Sequence, residues 1–199
     1  MNNTSQWSYN PSNSSALSSV ESRIKTFRLL YNESYQTPWE QIEWIVRMAG
    51  NRLDGEVLIF GAGDDAMIWS KLYRVTFLED KGTRYRRLFE NQNVNAYLVN
   101  YPTRVYRWKQ ELDNRTLNTL PPEIKKQRFD TVIIAGPNGR RAADPGRVCP
   151  ILHSQDLLKE NGVIFVFDIH RTLEQNVTKA ILGKPTATHV GDRTIGCWC

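Results

Sequence analysis

VLIFGAGDD, residues 57–65, decides how the chain is read. Four apolar residues run into two glycines, and two aspartates follow. A short continuous apolar run reads as a strand buried on both faces, the kind found in parallel sheets. Gly61 permits a tight turn out of that strand, and Gly63 removes a side chain where a ligand would approach the backbone. With Ala66 closing the pattern, the stretch also satisfies the loose dinucleotide fingerprint, so the turn alone leaves several ligands open.

Further along, strands and helices alternate. VTFLE (75–79), AYLVNY (96–101), FDTVIIAGP (129–137, with its entry and exit) and VIFVFDI (163–169) read as strands. Between them DDAMIWSKLY, KGTRYRRLFENQ, VYRWKQELDNRT and CPILHSQDLLKENG read as helices, the last ended by Gly162, and LPPEIKKQ as a connection. RTLEQNVTKAIL is a further helix, and ATHVGDRTIGCWC has the Gly-Asp turn of a closing antiparallel hairpin. The expectation is an α/β fold: a mostly parallel, seven-stranded, Rossmann-like sheet with helices on both faces and a C-terminal hairpin.

Before this core (57–199), two helices are expected over 18–50. The first carries Val20, Ile24, Phe27 and Tyr31 at helical spacing, with Ser18 and Glu21 as a capping box. For the second, Thr37 is the expected N-cap, Pro38 the first helical residue and Glu40 the reciprocal cap. Residues 1–17 are Asn/Ser-rich and read as a flexible leader to a single domain spanning 18–199.

Composition narrows the class. Hydrophobic residues make up 40% of the 199, no apolar run reaches membrane-spanning length, and the first residues are polar, so a soluble, cytoplasmic protein is expected. Three cysteines (Cys149, Cys197, Cys199), an odd number without zinc spacing, suit a reducing compartment. The sequons at Asn32 and Asn114 carry no weight without a secretion signal. The net charge of +5 is compatible with acidic glycans, nucleic acid or a simple solvated face, but no Lys/Arg block or RNA-binding signature is present.

In an open parallel sheet, ligands bind beyond the carboxyl ends of the strands. Glu79 ends the second strand, eighteen residues after Gly61, where a carboxylate can accept both hydroxyls of an adenosine ribose. Phosphate groups favour an uncharged helix mouth, yet Asp64 and Asp65 occupy this one. Two carboxylates repel a pyrophosphate and suit a cation. S-adenosylmethionine, with a sulfonium and an ammonium and no phosphate, therefore fits better than NAD.

The motifs together resemble the plant glucuronoxylan O-methyltransferase family. Its F-G-x-G-H-D-S-x-x-W turn is matched by FGAGDDAMIW, which keeps Phe60, Gly61, Gly63, Asp65 and Trp69 but has Asp64 for the histidine. FLEED compares with FLEDK at Glu79 and Asp80, and V-x-Y-x-T with VNYPT at Val99, Tyr101 and Thr103. APGR compares with DPGR at Pro145, Gly146 and Arg147, and H-D-V-N-R-x-x-E with FDIHRTLE at Asp168, Arg171 and Glu174. The resemblance covers residues 57–182 and implies a class I methyltransferase acting on a sugar hydroxyl of a glycan.

Two departures stand out: Ala135 replaces an aspartate after the fourth strand, and Phe167 replaces the histidine before Asp168. A pair of carboxylates at adjacent strand ends could hold a divalent cation; with Ala135 that pair is broken, which speaks against a metal requirement.

The expected donor site comprises Phe60, Gly61, Ala62, Gly63, Asp65, Glu79, Asp80, Tyr101, Ala135 and Gly136. For the acceptor, Arg147, Arg140, Asn138 and Tyr101 are the candidates, guanidinium being suited to a uronate carboxylate. Asp168 is the first candidate base for the hydroxyl proton and equally a candidate N-cap, His170 the second, and Arg171 completes the catalytic set. The alternatives are a methyltransferase acting on nucleic acid or a small molecule, and a degenerate module that binds without turnover.

Overall fold

The computed structural model describes residues 14–90, 94–112 and 120–199, with side chains from residue 19 onward. The expected leader through residue 13, the sequon at Asn114 and the expected helix beyond Leu112 lie outside the described residues.

Seven strands form one sheet: β1 (Glu56–Phe60), β2 (Arg74–Glu79), β3 (Asn95–Leu98), β4 (Phe129–Ile134), β5 (Leu158–Phe167), β6 (Ala187–His189) and β7 (Ile195–Trp198). Their order is β3-β2-β1-β4-β5-β7-β6. The first five run parallel, and β7 pairs antiparallel with both β5 and β6. Alternation within β1 explains why its sequence is apolar throughout. Val57 and Ile59 enter one core, Leu58 and Phe60 the other.

Helices cover both faces. α1 (Ser14–Leu30), α2 (Trp39–Ala49), α3 (Ala66–Leu72) and α4 (Gly82–Phe89) bury Phe27, Ile42, Ile45, Trp69 and Leu88 in the first core. α5 (Trp108–Leu112), α6 (Pro122–Lys125), α7 (Val148–Ser154) and α8 (Thr172–Ile181) border the second, with Ile124, Val148, Ile151 and Val177 fully buried. None of the helices among the described residues is long and apolar enough to cross a membrane.

Several expected boundaries are corrected. Ser18 lies inside α1, which begins at Ser14, so it is not the N-cap. Pro38 is the N-cap residue of α2 rather than its first turn, and no side chain caps that helix. α7 stops at Ser154. The KENG stretch instead belongs to β5, where the register slips by several residues between the pairs Phe129–Leu158 and Thr131–Val163, and Gly162 sits inside the strand. The connection LPPEIKKQ contains the short helix α6. α8 starts at Thr172 with Arg171 at its N-cap position, so Asp168 does not cap it.

Candidate functional site

Strand order reverses between β1 and β4, and a crevice opens there beyond the strand ends. Gly61 takes φ +85°, and an added Cβ would stand 2.8 Å from the Gly136 backbone. The reverse holds at Gly136, whose Cβ would meet Gly61 Cα at 2.9 Å. These two glycines let the strand ends close on each other: Phe60 carbonyl accepts the amides of Ala135 and Gly136 at 3.0 and 2.7 Å. The cleft above them encloses about 930 Å³, part of it open to solvent. Ile133, Phe77 and Phe167 give it apolar walls.

Of the ten residues expected to hold the donor, eight line the cleft and two do not. Gly61, Ala62, Gly63, Asp65, Glu79, Asp80, Ala135 and Gly136 all line the cleft. Phe60 lies wholly in the second core and contributes only its carbonyl to the turn. Tyr101 is likewise buried in that core, outside the lining, and its hydroxyl has no hydrogen-bond partner. Tyr101 therefore does not face the cleft, and burial pushes its hydroxyl well above the ordinary phenol range.

Glu79 knits the turn to its own strand. Oε2 accepts the Ala62 amide and Oε1 the Lys81 amide, both at 2.7 Å. Burial raises its pKa above the usual carboxylate value against the pull of these two amides. Each oxygen keeps a lone pair.

Asp65 and Asp64 part company. Asp64 is exposed, 3.8 Å from Arg87, and does not line the cleft. Asp65 is buried, and its Oδ2 accepts the Trp69 indole N–H at 2.8 Å. A Cβ on Gly63 would lie 2.3 Å from Asp65 Oδ1. Gly63 thus makes room for an aspartate, not only for a ligand. Burial raises the Asp65 pKa, the Trp69 hydrogen bond opposing it.

A cluster of arginines gathers around one carboxylate at the end of β5. Asp168, at φ 62° just past β5, is almost fully buried. Its carboxylate accepts Arg147 Nη2 at 2.7 Å and Arg193 Nε and Nη2 at 2.9 Å each, while Arg171 Nη1 stands 3.2 Å away. Burial alone pushes this carboxyl up; the Arg193 hydrogen bonds and the three positive charges outweigh it and hold the group well below the carboxylate range.

Arg147 is only 2% exposed and spends its guanidinium on Asp168, on Glu174 at 2.8 Å and on the Ala135 carbonyl at 2.7 Å. It is a buried tie between α8 and the strand ends that also lines the cleft, and its Nε has no hydrogen-bond partner. Arg171, Arg140 and Asn138 line the cleft as well. His170 is exposed and outside the lining.

Arg193 lines the cleft and was missed in the sequence, where GDR reads only as a hairpin turn. Its guanidinium stacks 4.7 Å from the Phe167 ring centroid, and its carbonyl accepts Gln41 Nε2 at 2.8 Å. Gln36 and Thr37, just before α2, also line the cleft, so the N-terminal helices help to close it. Among the described residues no cluster of His, Cys, Asp or Glu could hold a metal ion.

This strand order, with a cleft at the β1/β4 switch point, is the Rossmann-like class I methyltransferase fold. A methyltransferase from Pyrococcus furiosus shares it, with a TM-score of 0.50 and 18% identity over 91% of this chain and 98% of that one. In sequence the chain is similar to glucuronoxylan 4-O-methyltransferase 1 of Arabidopsis thaliana, at 25% identity over 182 residues, 76% of this chain and 64% of that protein. Glucuronoxylan 4-O-methyltransferase 2 of the same plant is 22% identical over 175 residues, 74% of this chain and 60% of that protein. The chain thus spans less than two thirds of the length of these curated relatives. No family model matches it.

Proposed function

We propose that the protein transfers a methyl group from S-adenosylmethionine to a sugar hydroxyl of an acidic glycan. The observation that carries this reading is the junction of Glu79 with the glycine turn at the switch point of a class I methyltransferase sheet. The residues present fit the donor. Gly61 and Gly136 bring bare backbone together at the strand ends, and Glu79 and the adjacent Asp80 supply acceptors for ribose hydroxyls. Asp65, lining the same cleft, suits the positively charged amino-acid end.

When bound, S-adenosylmethionine supplies a methyl group already activated by its sulfonium, so the protein's main task is alignment. On the acceptor side Arg171, Arg193, Arg140 and Asn138 surround the cleft, offering donors to hydroxyls and to a uronate carboxylate. The names of the relatives, glucuronoxylan 4-O-methyltransferases, support such an acceptor. Asp168 serves by orienting Arg193 and Arg171 rather than by taking a proton. A second reading, a module that binds donor and glycan without turnover, draws on that same saturated Asp168.

The first test is calorimetric titration of S-adenosylhomocysteine into the wild-type protein and Glu79→Ala. Micromolar binding, lost in the variant, supports the donor site; a folded wild-type protein that binds nothing ends the methyltransferase reading. Transfer of labelled methyl to glucuronoxylan then separates the two readings, since donor binding without transfer selects the module.

A further inference from the structure

Outside the cleft, the segment Tyr106–Lys109 alternates aromatic and basic residues, and each cation covers its neighbour. Arg107 lies 5.3 Å from the Tyr106 ring centroid, and Lys109 Nζ lies 5.8 Å from that of Trp108. Trp108 packs partly into the second core, but Tyr106 is 65% exposed. Phe89, another exposed aromatic, stacks on Tyr85; Tyr106 has no ring partner among the described residues.

The segment is fastened to the loop that forms the acceptor wall. Val105 N–H donates to the Asp144 carbonyl at 2.9 Å and Tyr106 N–H to the Ala142 carbonyl at 3.1 Å. That loop is itself closed: Asp144 Oδ2 accepts the amides of Arg140 and Arg141, and the Gly146 amide donates to the Asn138 carbonyl. One end of this unit lines the cleft through Asn138 and Arg140, and the other presents Tyr106 with Arg107, Lys109 and Arg141 to solvent. An exposed ring on a fastened backbone, flanked by cations, matches a polymer with apolar sugar faces and scattered carboxylates.

We propose that Tyr106–Lys109, together with Arg141, is a second binding site that holds a stretch of acidic glycan beside the cleft, a sugar face on Tyr106 and uronate carboxylates on the cations. This rests on the glycan acceptor proposed above. An aromatic–basic strip also suits single-stranded nucleic acid, but the acidic-glycan relatives favour the sugar polymer.

The test is affinity electrophoresis of the full chain in gels containing glucuronoxylan or uncharged xylan, with Tyr106→Ala, Tyr106→Phe and a double Arg107→Ala/Lys109→Ala variant. Tyr106→Ala should weaken retardation roughly three- to tenfold in both gels, as for loss of an aromatic contact, and Tyr106→Phe should restore it. The double variant should weaken it only in glucuronoxylan. A wild-type protein that is not retarded, a Tyr106→Ala variant that behaves like it, or retardation abolished by an RNA oligomer but not by soluble xylan would each overturn the site. S-adenosylhomocysteine titration of the same variants should be unchanged, and transfer of labelled methyl to glucuronoxylan, which reads the acceptor at the cleft, keeps failure of the glycan reading distinguishable from failure of this site.

Discussion

Arg193 grips Asp168 through two nitrogens, Nε on Oδ1 and Nη2 on Oδ2, each at 2.9 Å. Arg147 reaches the same Oδ2 from the opposite side of the chain's topology, α7's N-cap position against the β6–β7 turn. A carboxylate so engaged is a fixed anion around which guanidinium groups are placed.

Asp168→Asn should therefore behave as a structural lesion. It leaves Arg147 buried with one carboxylate instead of two, and breaking such a pair costs about 3–5 kcal/mol. Urea denaturation followed by tryptophan fluorescence reads this directly. A variant as stable as wild type, with only its turnover lost, would return Asp168 to the role of base.

The acid side of the stability curve follows from the same cluster. Asp168 titrates lower in the folded than in the unfolded chain, so its contribution is complete above the unfolded value of about 3.9 and is lost as pH falls below it. Denaturation midpoints measured from neutrality down to pH 3 should drop on this limb for wild type. The limb should flatten in Asp168→Asn.

Asp65 has the opposite sign. Its folded pKa is raised, mainly by burial, so the stability linked to its proton is present at low pH and disappears as pH rises through the folded value. Burying the ionised form is a cost that Asp65→Asn removes, while an amide oxygen can still accept the Trp69 N–H. The variant should gain about 1 kcal/mol, a Tm rise of about 2–4 °C, and bind S-adenosylhomocysteine at least tenfold more weakly. Thermal melts and calorimetry on one preparation decide it.

Gly61→Ala combines a left-handed backbone with a Cβ 2.8 Å from Gly136 and should destabilise by about 2–4 kcal/mol while abolishing donor binding. Gly82→Ala, in helix α4 with nothing within 4 Å and no left-handed backbone, is the control and should melt at or slightly above wild type.

The parallel strands were legible because burial on both faces writes itself as an unbroken apolar run, as in Leu58–Phe60 and Val132–Ile134. β5 was legible only from Val163 onward. Its first residues, Lys159–Asn161, are exposed across a register shift and imitate the polar end of a helix. Within the site, Glu79, Gly61 and Gly63 announce themselves by position relative to one strand. Arg147 and Arg193 do not. Arg147 is claimed by Glu174, twenty-seven residues on, and Arg193 reaches the cleft only because β7 inserts beside β5. Neither fact has a local sequence signal.

Gln41 and Arg193, joined by a hydrogen bond, are 152 residues apart in the chain. Arg193 is also the last of the cleft-lining residues to be synthesised, so neither its two-point hold on Asp168 nor this wall of the cleft exists until the chain has been made past β6.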